Sequence, residues 1–398
     1  MVPNTPMILH RHIIVILLSI FAAIPMTHAA MRSIPVDSTT QVSLLVASPG
    51  TEIYELEGHA AMRIVGSGGD ITVNWGLFNF DQPNFVYRYV KGETDYGIGA
   101  QYTSHFINNY AAQGRGVTEI PLNLTPTQVQ RVIELVDSTL RPGNNIYRYN
   151  YVKDNCSTRP VSIIEQAIGD TIVVDSSNLP LTGNISFRDV MRYYHEYYPW
   201  YQFGIDLALG SGIDYNITPH EMAFAPVLLP ALLGNATVGE KPLTSESPRE
   251  LVQAAPWPAQ PTPWYLTPLF VAILVLAAAA FITWRDLKHK KETRWFDTAL
   301  FGVYGLMGCV ITFLVFVSVH EATSPNLLLL WLNPLALIPA VCIWIKKAKN
   351  MVLCYHFVNF VALLILAVAW PLAGQGGNIA FLPLILADVL RSVSYIYI

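Results

Sequence analysis

Long apolar runs fill the C-terminal third of the chain. Four of them, over 264–284, 296–318, 327–345 and 352–371, are each near the roughly 20 residues that cross a hydrocarbon core. A fifth run, over 378–398, is interrupted by Asp388 and Arg391. The pattern predicts a multi-pass bundle of four or five transmembrane helices, and it leaves open whether the fifth run crosses the bilayer or lies partly in the interface.

The charges between these runs predict their orientation. Lysines and arginines follow the first and third runs, whereas the connections 320–326 and 373–377 contain neither residue. Basic loops stay on the cytoplasmic side of a membrane. The connections without Lys or Arg are therefore expected on the exported side.

The N-terminal 29 residues combine a basic start, an apolar core and small residues before Ala30, as a signal peptide does. An uncleaved anchor is the alternative. Residues 240–263 carry six prolines and no apolar periodicity, which predicts a stiff linker. The predicted organisation is a signal peptide over 1–29, an exported domain over 30–239, the linker, and a transmembrane domain over 264–398. Within the exported domain we expect a core over about 40–170 and a helical extension over 171–239, either as a separate cap or as part of the catalytic domain.

The exported stretch mixes strand and helix signals. Short strands are predicted over 42–47, 61–65 and 71–75, with a hairpin through 66–70, and a further strand over 147–151, where tyrosines alternate. Thr125-Pro126-Thr127-Gln128 is a capping box that opens a helix, and Gly169 ends a second helix over 161–168. The fold class is therefore α+β, with Cys156 at a strand-to-helix junction.

Composition agrees with a membrane protein, since 52% of the residues are hydrophobic and 13% are charged, with a mean hydropathy of +0.37. The net charge is −4, and the stretch 30–263 holds 14 Lys and Arg against 23 Asp and Glu. Such an acidic stretch argues against nucleic acid as a partner. Its single cysteine and scattered histidines offer no metal cluster and no disulfide framework, so no cofactor is predicted.

Cys156 is the candidate nucleophile. At the start of a helix, free backbone N–H groups and the helix dipole are expected to lower the pKa of its thiol, and the N–H groups around Asn155 to Ser157 are expected to receive an oxyanion. The alternative is a buried residue without chemistry. His59, beside Gly58 and just before a strand, is the candidate base, and His105 is its competitor, ahead of His195 and His220.

The order of histidine, hairpin, cysteine and helix resembles the circularly permuted papain-like fold of the NlpC/P60 and lecithin:retinol acyltransferase superfamily. Further strings make the resemblance more specific: Gly58-His59-Ala60, Asn74-Trp75-Gly76-Leu77-Phe78-Asn79-Phe80, Pro83-Asn84-Phe85, Asp154-Asn155-Cys156-Ser157-Thr158-Arg159-Pro160, Phe203-Gly204-Ile205-Asp206-Leu207-Ala208-Leu209-Gly210 and the stretch 320–334. Together they resemble the Lnb family. Its members are bacterial lipoprotein N-acyltransferases in which a periplasmic domain precedes membrane helices.

The resemblance implies a thiol acyltransferase of the bacterial inner membrane with its catalytic domain in the periplasm. Cys156, with His59 as base, takes an acyl chain from a phospholipid as a thioester and passes it to the N-terminal amine of a diacylated lipoprotein. Asn74 is the preferred partner of His59, as the superfamily pattern suggests, and Glu57 is the alternative. A simple hairpin register argues against Asn74: if Gly66 pairs with Asp70, Asn74 lies on the other face of the sheet from His59.

Two groups of residues are candidates for substrate binding. Ser157, Thr158 and Arg159, next to Asn155, either bind a phosphate or cap the helix. The second group lies at the outer mouth of the third run and within it, where polar residues either seat a lipid headgroup or serve helix packing. It consists of His320, Asn326 and Asn333.

Three rival functions remain open from the sequence. A membrane-tethered cysteine peptidase or amidase of the NlpC/P60 kind has the same Cys156 and His59, but it needs only one membrane anchor. A phospholipase follows if water replaces the amine acceptor. A membrane-anchored interaction or sensor protein, with an inert Cys156, is the non-enzymatic reading.

Overall fold

A computed structural model describes residues 36–78, 81–174, 179–256 and 261–398. The predicted signal peptide, 1–29, lies outside these residues. The chain divides into two compact units. We name the described parts of 1–80, 95–180 and 219–257 the sheet unit, and those of 81–94, 181–218 and 258–398 the helical unit.

The sheet unit is built on one seven-stranded antiparallel sheet with the strand order β6-β4-β3-β2-β1-β5-β9. Two further short strands, β7 and β8, pair with each other. The strands are β1 Gln41–Ala47, β2 His59–Gly66, β3 Gly69–Leu77, β4 Asp95–Tyr102, β5 Val117–Pro121, β6 Ile146–Arg148, β7 Thr237–Val238, β8 Lys241–Pro242 and β9 Arg249–Val252.

Twelve α-helices occur in the described residues. They are α1 Phe85–Lys91, α2 Thr103–Ala112, α3 Pro126–Leu140, α4 Thr158–Ile168, α5 Phe187–Tyr194, α6 Pro199–Ala208, α7 Leu229–Gly234, α8 Pro268–His289, α9 Arg294–Phe316, α10 Leu337–Cys342, α11 Lys349–Ala373 and α12 Phe381–Tyr397. The predicted mixture of strands and helices is confirmed, and the papain-like permutation stays a prediction.

The register of the β2–β3 hairpin differs from the expected one by one residue. Gly66 pairs with Gly69 rather than with Asp70, which leaves a two-residue turn. Gly69 has φ +152°, a conformation open to glycine. Side chains alternate between the two faces of a strand, so this shift moves every β3 residue to the opposite face relative to β2.

Local signals set the ends of the sheet unit's helices as predicted. Thr125 and Gln128 form a reciprocal capping box at the start of α3, with proline in the first turn. Gly169, at φ +73°, ends α4 in the left-handed conformation. The strand predicted over 147–151 is wrong in length, because only Ile146–Arg148 joins the sheet and the chain then turns toward Cys156.

Three described segments of the helical unit are long and apolar enough to cross a membrane: α8, α9 and Lys346–Ala373. The predicted third span is not one continuous helix. Residues 327–342 form 3-10 turns and the short α10, with a break at Asn333-Pro334. Proline has no N–H to continue a helix, and the broken backbone packs closely against Gly308 of α9. The expected count of four or five spans is therefore not confirmed.

The fifth apolar run forms α12, which packs against α8 and α11. Its two charges are buried: Asp388 is bonded by the Asn359 amide, and Arg391 forms ion pairs with Asp286 and Asp297. Buried charges require such partners. Asp388 and Arg391 therefore serve the packing of helices within this unit.

Two predicted boundaries differ from the structure. The helical extension 171–239 is shared between the units, because Leu181–Thr218 belongs to the helical unit and the following segment to the sheet unit. Arg249–Val252, inside the predicted linker 240–263, pairs with β5 as an edge strand of the main sheet. Proline is tolerated next to an edge strand, so the proline count alone did not exclude pairing there.

Candidate active site

The hairpin register brings His59 and Asn74 together. Asn74 pairs with Ala61, two residues from His59, and so lies on the same face of the sheet as His59. The Nε2 of His59 is 3.2 Å from the Oδ1 of Asn74. The amide oxygen only accepts, so Nε2 carries the proton and donates it. The Nδ1 of His59 is left unprotonated in this tautomer and can act as a base.

Asn155 organises the loop that carries Cys156. Its Oδ1 accepts hydrogen bonds from the N–H groups of Ser157 (2.8 Å) and Thr158 (2.9 Å). Its Nδ2 donates to the carbonyls of Tyr151 and Phe224. The side chains of Ser157 and Thr158 are also used: Ser157 donates to the Ala223 carbonyl, and Thr158 Oγ1 accepts from the N–H of Asn155. These three residues hold the start of α4 in place.

The loop places Cys156 against strands β2 and β3. The N–H of Cys156 itself and the N–H of Ala60, the residue after His59, both act on the Cys156 sulfur and lower its pKa. On the other side lies Gly76, at φ +84° in a β-bulge, where an added Cβ would stand 3.5 Å from the Cβ of Cys156. Glycine thus provides the close approach that the cysteine needs. Candidate nucleophile and candidate base lie on neighbouring backbone.

Burial determines the protonation of the thiol. Cys156 is 8% exposed, and burial raises its pKa to about 11, with a smaller increase from the Glu57 carboxylate. The two N–H groups and the Arg115 guanidinium oppose this effect but do not overcome it. The expectation of a lowered pKa is therefore wrong. The dipole of α4 acts on a sulfur that has lost its water, and desolvation dominates.

The histidine is also neutral at rest. Burial lowers the pKa of His59 to about 4, and the Arg115 charge lowers it further, while the hydrogen bond to Asn74 raises it. Near neutral pH the resting pair is therefore a thiol and an imidazole.

Aromatic rings from α2 pack around His59. Tyr110 stacks on the imidazole with ring centroids 6.2 Å apart, and Phe106 lies 6.4 Å away. Arg115 lies 4.7 Å over the Tyr110 ring, is 5% exposed, and pairs with Glu55. The positive charge of Arg115 repels an imidazolium and attracts a thiolate. It therefore disfavours protonation of His59 and favours ionisation of Cys156. Sequence reasoning missed Arg115, whose partners are distant along the chain.

Tyr147 is a second residue that sequence reasoning missed, since its alternation with Tyr149 indicated only a sheet face. Its side chain is 8% exposed, and its hydroxyl has no hydrogen-bond partner among the described residues. That hydroxyl would be 3.8 Å from a Cβ added to Gly76, so it lies near Cys156. Arg159 covers the ring at 3.7 Å. A buried donor without an acceptor next to a nucleophile is available to a substrate oxygen.

The remaining candidates of the sheet unit have other partners. Glu57 accepts a hydrogen bond from the Tyr151 hydroxyl. Arg159 forms a bidentate pair with Asp154, at 2.5 and 2.7 Å. His105 is exposed on α2 and meets the edge of Tyr102. The structure thus joins His59 to Asn74, the partner that the resemblance favoured.

Residues predicted at the outer mouth belong to the helical unit and are held by protein contacts. His320 donates from Nε2 to the Tyr89 carbonyl at 2.8 Å. Asn326 bonds the Leu207 carbonyl, the N–H of Leu328 and the side chain of Gln375. Asn333 has a buried Oδ1 without a described partner, at the break between the 3-10 turns. A shared headgroup site for these three residues stays a prediction.

Comparison with known proteins gives two family matches. The model of the Lnb N-terminal periplasmic domain matches residues 27–193, and that of the Lnb transmembrane domain matches residues 260–398. No curated protein and no solved structure matches the chain. The protein is thus a membrane protein with a periplasmic domain. Because both family models match the chain, in the order that its sequence predicts, the chain belongs to the Lnb family.

Proposed function

We propose that this protein is a lipoprotein N-acyltransferase of the bacterial inner membrane. One observation carries the proposal: the N–H of Ala60, the residue after His59, acts on the Cys156 sulfur and lowers its pKa, while the Asn74 Oδ1 lies 3.2 Å from His59 Nε2 and accepts its hydrogen bond. This is the arrangement of a cysteine nucleophile with a base and an orienting residue. Cys156, His59 and Asn74 are its catalytic and positioning residues, and the sheet unit is a permuted papain-like domain.

In the first step, the Cys156 sulfur attacks an ester carbonyl of a phospholipid. His59 Nδ1 takes the thiol proton as the carbon–sulfur bond forms, which avoids a free thiolate in a buried site. The ester carbon–oxygen bond then breaks. The imidazolium gives its proton to the leaving oxygen, so a lysophospholipid departs and a thioester remains.

In the second step, the neutral α-amine of a diacylglyceryl-cysteine attacks the thioester carbonyl. His59 takes a proton from the amine nitrogen and returns it to sulfur as the carbon–sulfur bond breaks. The products are an amide on the lipoprotein and the free thiol of Cys156. The balance of atoms and charge requires no metal or redox cofactor.

Both steps form a negative oxygen next to Cys156, which needs hydrogen-bond donors. The N–H groups of Ser157 and Thr158 are occupied by Asn155, so they do not serve. The Tyr147 hydroxyl, which has no partner among the described residues, remains as a donor for the oxyanion. The positive charge of Arg115 adds electrostatic stabilisation.

Mass spectrometry of the purified full chain tests this function. Wild type, Cys156→Ala and Cys156→Ser are incubated with phospholipid and a diacylated lipopeptide. We expect a hydroxylamine-labile acyl adduct on the wild-type Cys156 peptide, transfer to the peptide amine, and neither product with Cys156→Ala. Unchanged transfer by Cys156→Ala contradicts the thiol mechanism.

The same experiment separates the rival functions. An adduct that forms and is lost to water, with no N-acylated peptide, identifies a phospholipase. Cleavage of a cell-wall peptide added to the same incubation, without any adduct from lipid, identifies a peptidase or amidase. A thiol that reacts with no lipid or peptide indicates an interaction or sensor protein.

A further inference from the structure

The helical unit contains a cleft of about 240 Å³ between α5, α6, the first turn of α8 and the residues just before α12. It is smaller than the ~300 Å³ at which pockets for drug-sized ligands begin, so it suits one compact group. Arg192, Glu196 and Gln202 provide its polar side, and Leu269 and Ile379 an apolar side. None of these residues takes part in the proposed thiol reaction.

Gln202 is a buried donor without a partner. The residue is 8% exposed, and its Oε1 accepts a hydrogen bond from His195 Nδ1 at 2.8 Å. Its Nε2 has no hydrogen-bond partner in the part of the chain that the structure describes. A buried N–H group without an acceptor is costly unless a ligand supplies one. The cleft therefore offers a site for an acceptor oxygen.

Arg192 is held in position beside Gln202. One of its nitrogens donates to the Asp206 carboxylate at 3.0 Å and to the Gly377 carbonyl at 2.9 Å. Thr267 caps the start of α8 at the same cleft, where the helix dipole is positive. These groups favour a phosphate oxygen as the acceptor that Gln202 lacks.

The charges around the cleft favour a ligand that carries a cation as well as a phosphate. Two arginines, at 188 and 192, stand against four carboxylates, at 189, 196, 206 and 214, around this corner of the unit. Glu196 is exposed and forms no ion pair with any described residue. A net excess of two carboxylates disfavours an anionic headgroup. It favours a zwitterion whose ammonium approaches Glu196.

The surroundings of the cleft suit the surface of a bilayer. The cleft is lined by residues around and just after the end of the periplasmic-domain match, such as Arg192 and Gln202, and by Thr267 to Leu269 near the beginning of the transmembrane match. Trp200, 48% exposed, donates from its indole to the Leu266 carbonyl at 2.7 Å, and Trp264 and Tyr265 are exposed beside it. Such amphipathic rings are enriched at membrane interfaces. We propose that this cleft binds the phosphoethanolamine headgroup of a membrane phospholipid, with Gln202 and Arg192 on the phosphate and Glu196 near the ammonium.

Native mass spectrometry of the full-length Cys156→Ala protein tests the proposal. This variant forms no thioester, so lipid binding is read independently of the proposed reaction. The protein is released from nanodiscs that contain equal amounts of phosphatidylethanolamine and phosphatidylglycerol, and the retained lipid is counted. We expect retention of phosphatidylethanolamine over phosphatidylglycerol.

Three variants in the same background locate the binding. Gln202→Glu keeps the acceptor for His195 but removes the donor, and we expect about tenfold or greater loss of bound phosphatidylethanolamine. Glu196→Gln is expected to abolish the preference between the two lipids. Glu240→Gln, an exposed carboxylate in the turn between β7 and β8, is the matched control and should behave as the parent.

Each other outcome overturns the proposal. Equal retention of both lipids by the parent rejects a zwitterion-selective cleft, and unchanged selectivity in Gln202→Glu and Glu196→Gln places the binding elsewhere. Binding of soluble phosphoethanolamine by a parent protein that retains no phosphatidylethanolamine shows that the cleft takes a free phosphate ester rather than a membrane lipid. Thermal unfolding of each variant excludes loss of the fold as the cause.

Discussion

The protonation of Cys156 leads to a prediction about how its thiol reacts with iodoacetamide. Only the thiolate reacts, and burial raises the pKa of this thiol from the ordinary 9.0 to about 11. At pH 7 the thiolate fraction is then about 10⁻⁴, against about 10⁻² for an ordinary thiol. A thiolate of higher pKa is more nucleophilic, with a Brønsted coefficient of about 0.4–0.5, which returns a factor of about ten. We therefore expect alkylation about tenfold slower than that of a reference thiol.

The pH profile gives the sharper test. The logarithm of the alkylation rate should rise with a slope of one from pH 7 to pH 10, where an exposed thiol already levels off. Glu57→Gln keeps an acceptor for Tyr151 and removes a charge that raises the pKa of Cys156, so this variant should react faster at every pH below the plateau. Glu134→Gln, on the exposed face of α3, should leave the rate unchanged.

The rate is measured by mass spectrometry of the Cys156 peptide, because the chain also contains Cys309, Cys342 and Cys354. A plateau below pH 8, or a rate above that of the reference thiol, would refute the reasoning. Either result means that a preformed ion pair outweighs desolvation. A slower rate in Glu57→Gln would instead assign this carboxylate to the support of His59.

Substitutions at three positions test the geometry around the thiol. Asn74→Ala should lower kcat/KM for N-acylation by about 100-fold through misplacement of His59, while Asn74→Asp, which keeps the acceptor, should retain more activity; equal losses would contradict an orienting role. Tyr147→Phe should lower kcat by about 10² or more and leave the melting temperature unchanged or higher, because its hydroxyl has no partner in the described fold; full activity would remove it from the oxyanion site. Gly76→Ala should destabilise the protein by about 1–3 kcal/mol in thermal unfolding, because of its φ of +84°, and should slow adduct formation on Cys156; wild-type behaviour in both measurements would show that the bulge is not strained.

Several features of the chain were predictable because their signals are local. The capping box at Thr125, the stop at Gly169 and the three strands around the first hairpin each depend on a few consecutive residues. Family membership was predictable for the same reason, since short strings around His59 and Cys156 carry it, and both halves are matched. The prediction of Cys156 and His59 as a reacting pair rests on those strings and awaits the assays above.

Other features needed distant segments. The third apolar run met the length requirement for a span, yet the Asn333-Pro334 break, packed against Gly308, divides it. Hydrophobicity measures how apolar a segment is and does not report how its backbone bonds are satisfied. In the same way, six prolines indicated a linker, while pairing with β5 made Arg249–Val252 a strand.

The sequence by itself determined which residues carry the candidate chemistry and where the exported and membrane parts lie. Residue type, capping signals and the length of an apolar run are each properties of a short stretch of sequence. Only the tertiary structure decided how those residues are placed and what surrounds them. A one-residue hairpin shift placed Asn74 on the face of His59, and burial raised the pKa of Cys156 where the helix start predicted a decrease. Arg115 and Tyr147 reached the site from remote segments. Register, desolvation and long-range charge depend on what the rest of the fold packs against a residue, which no local pattern contains.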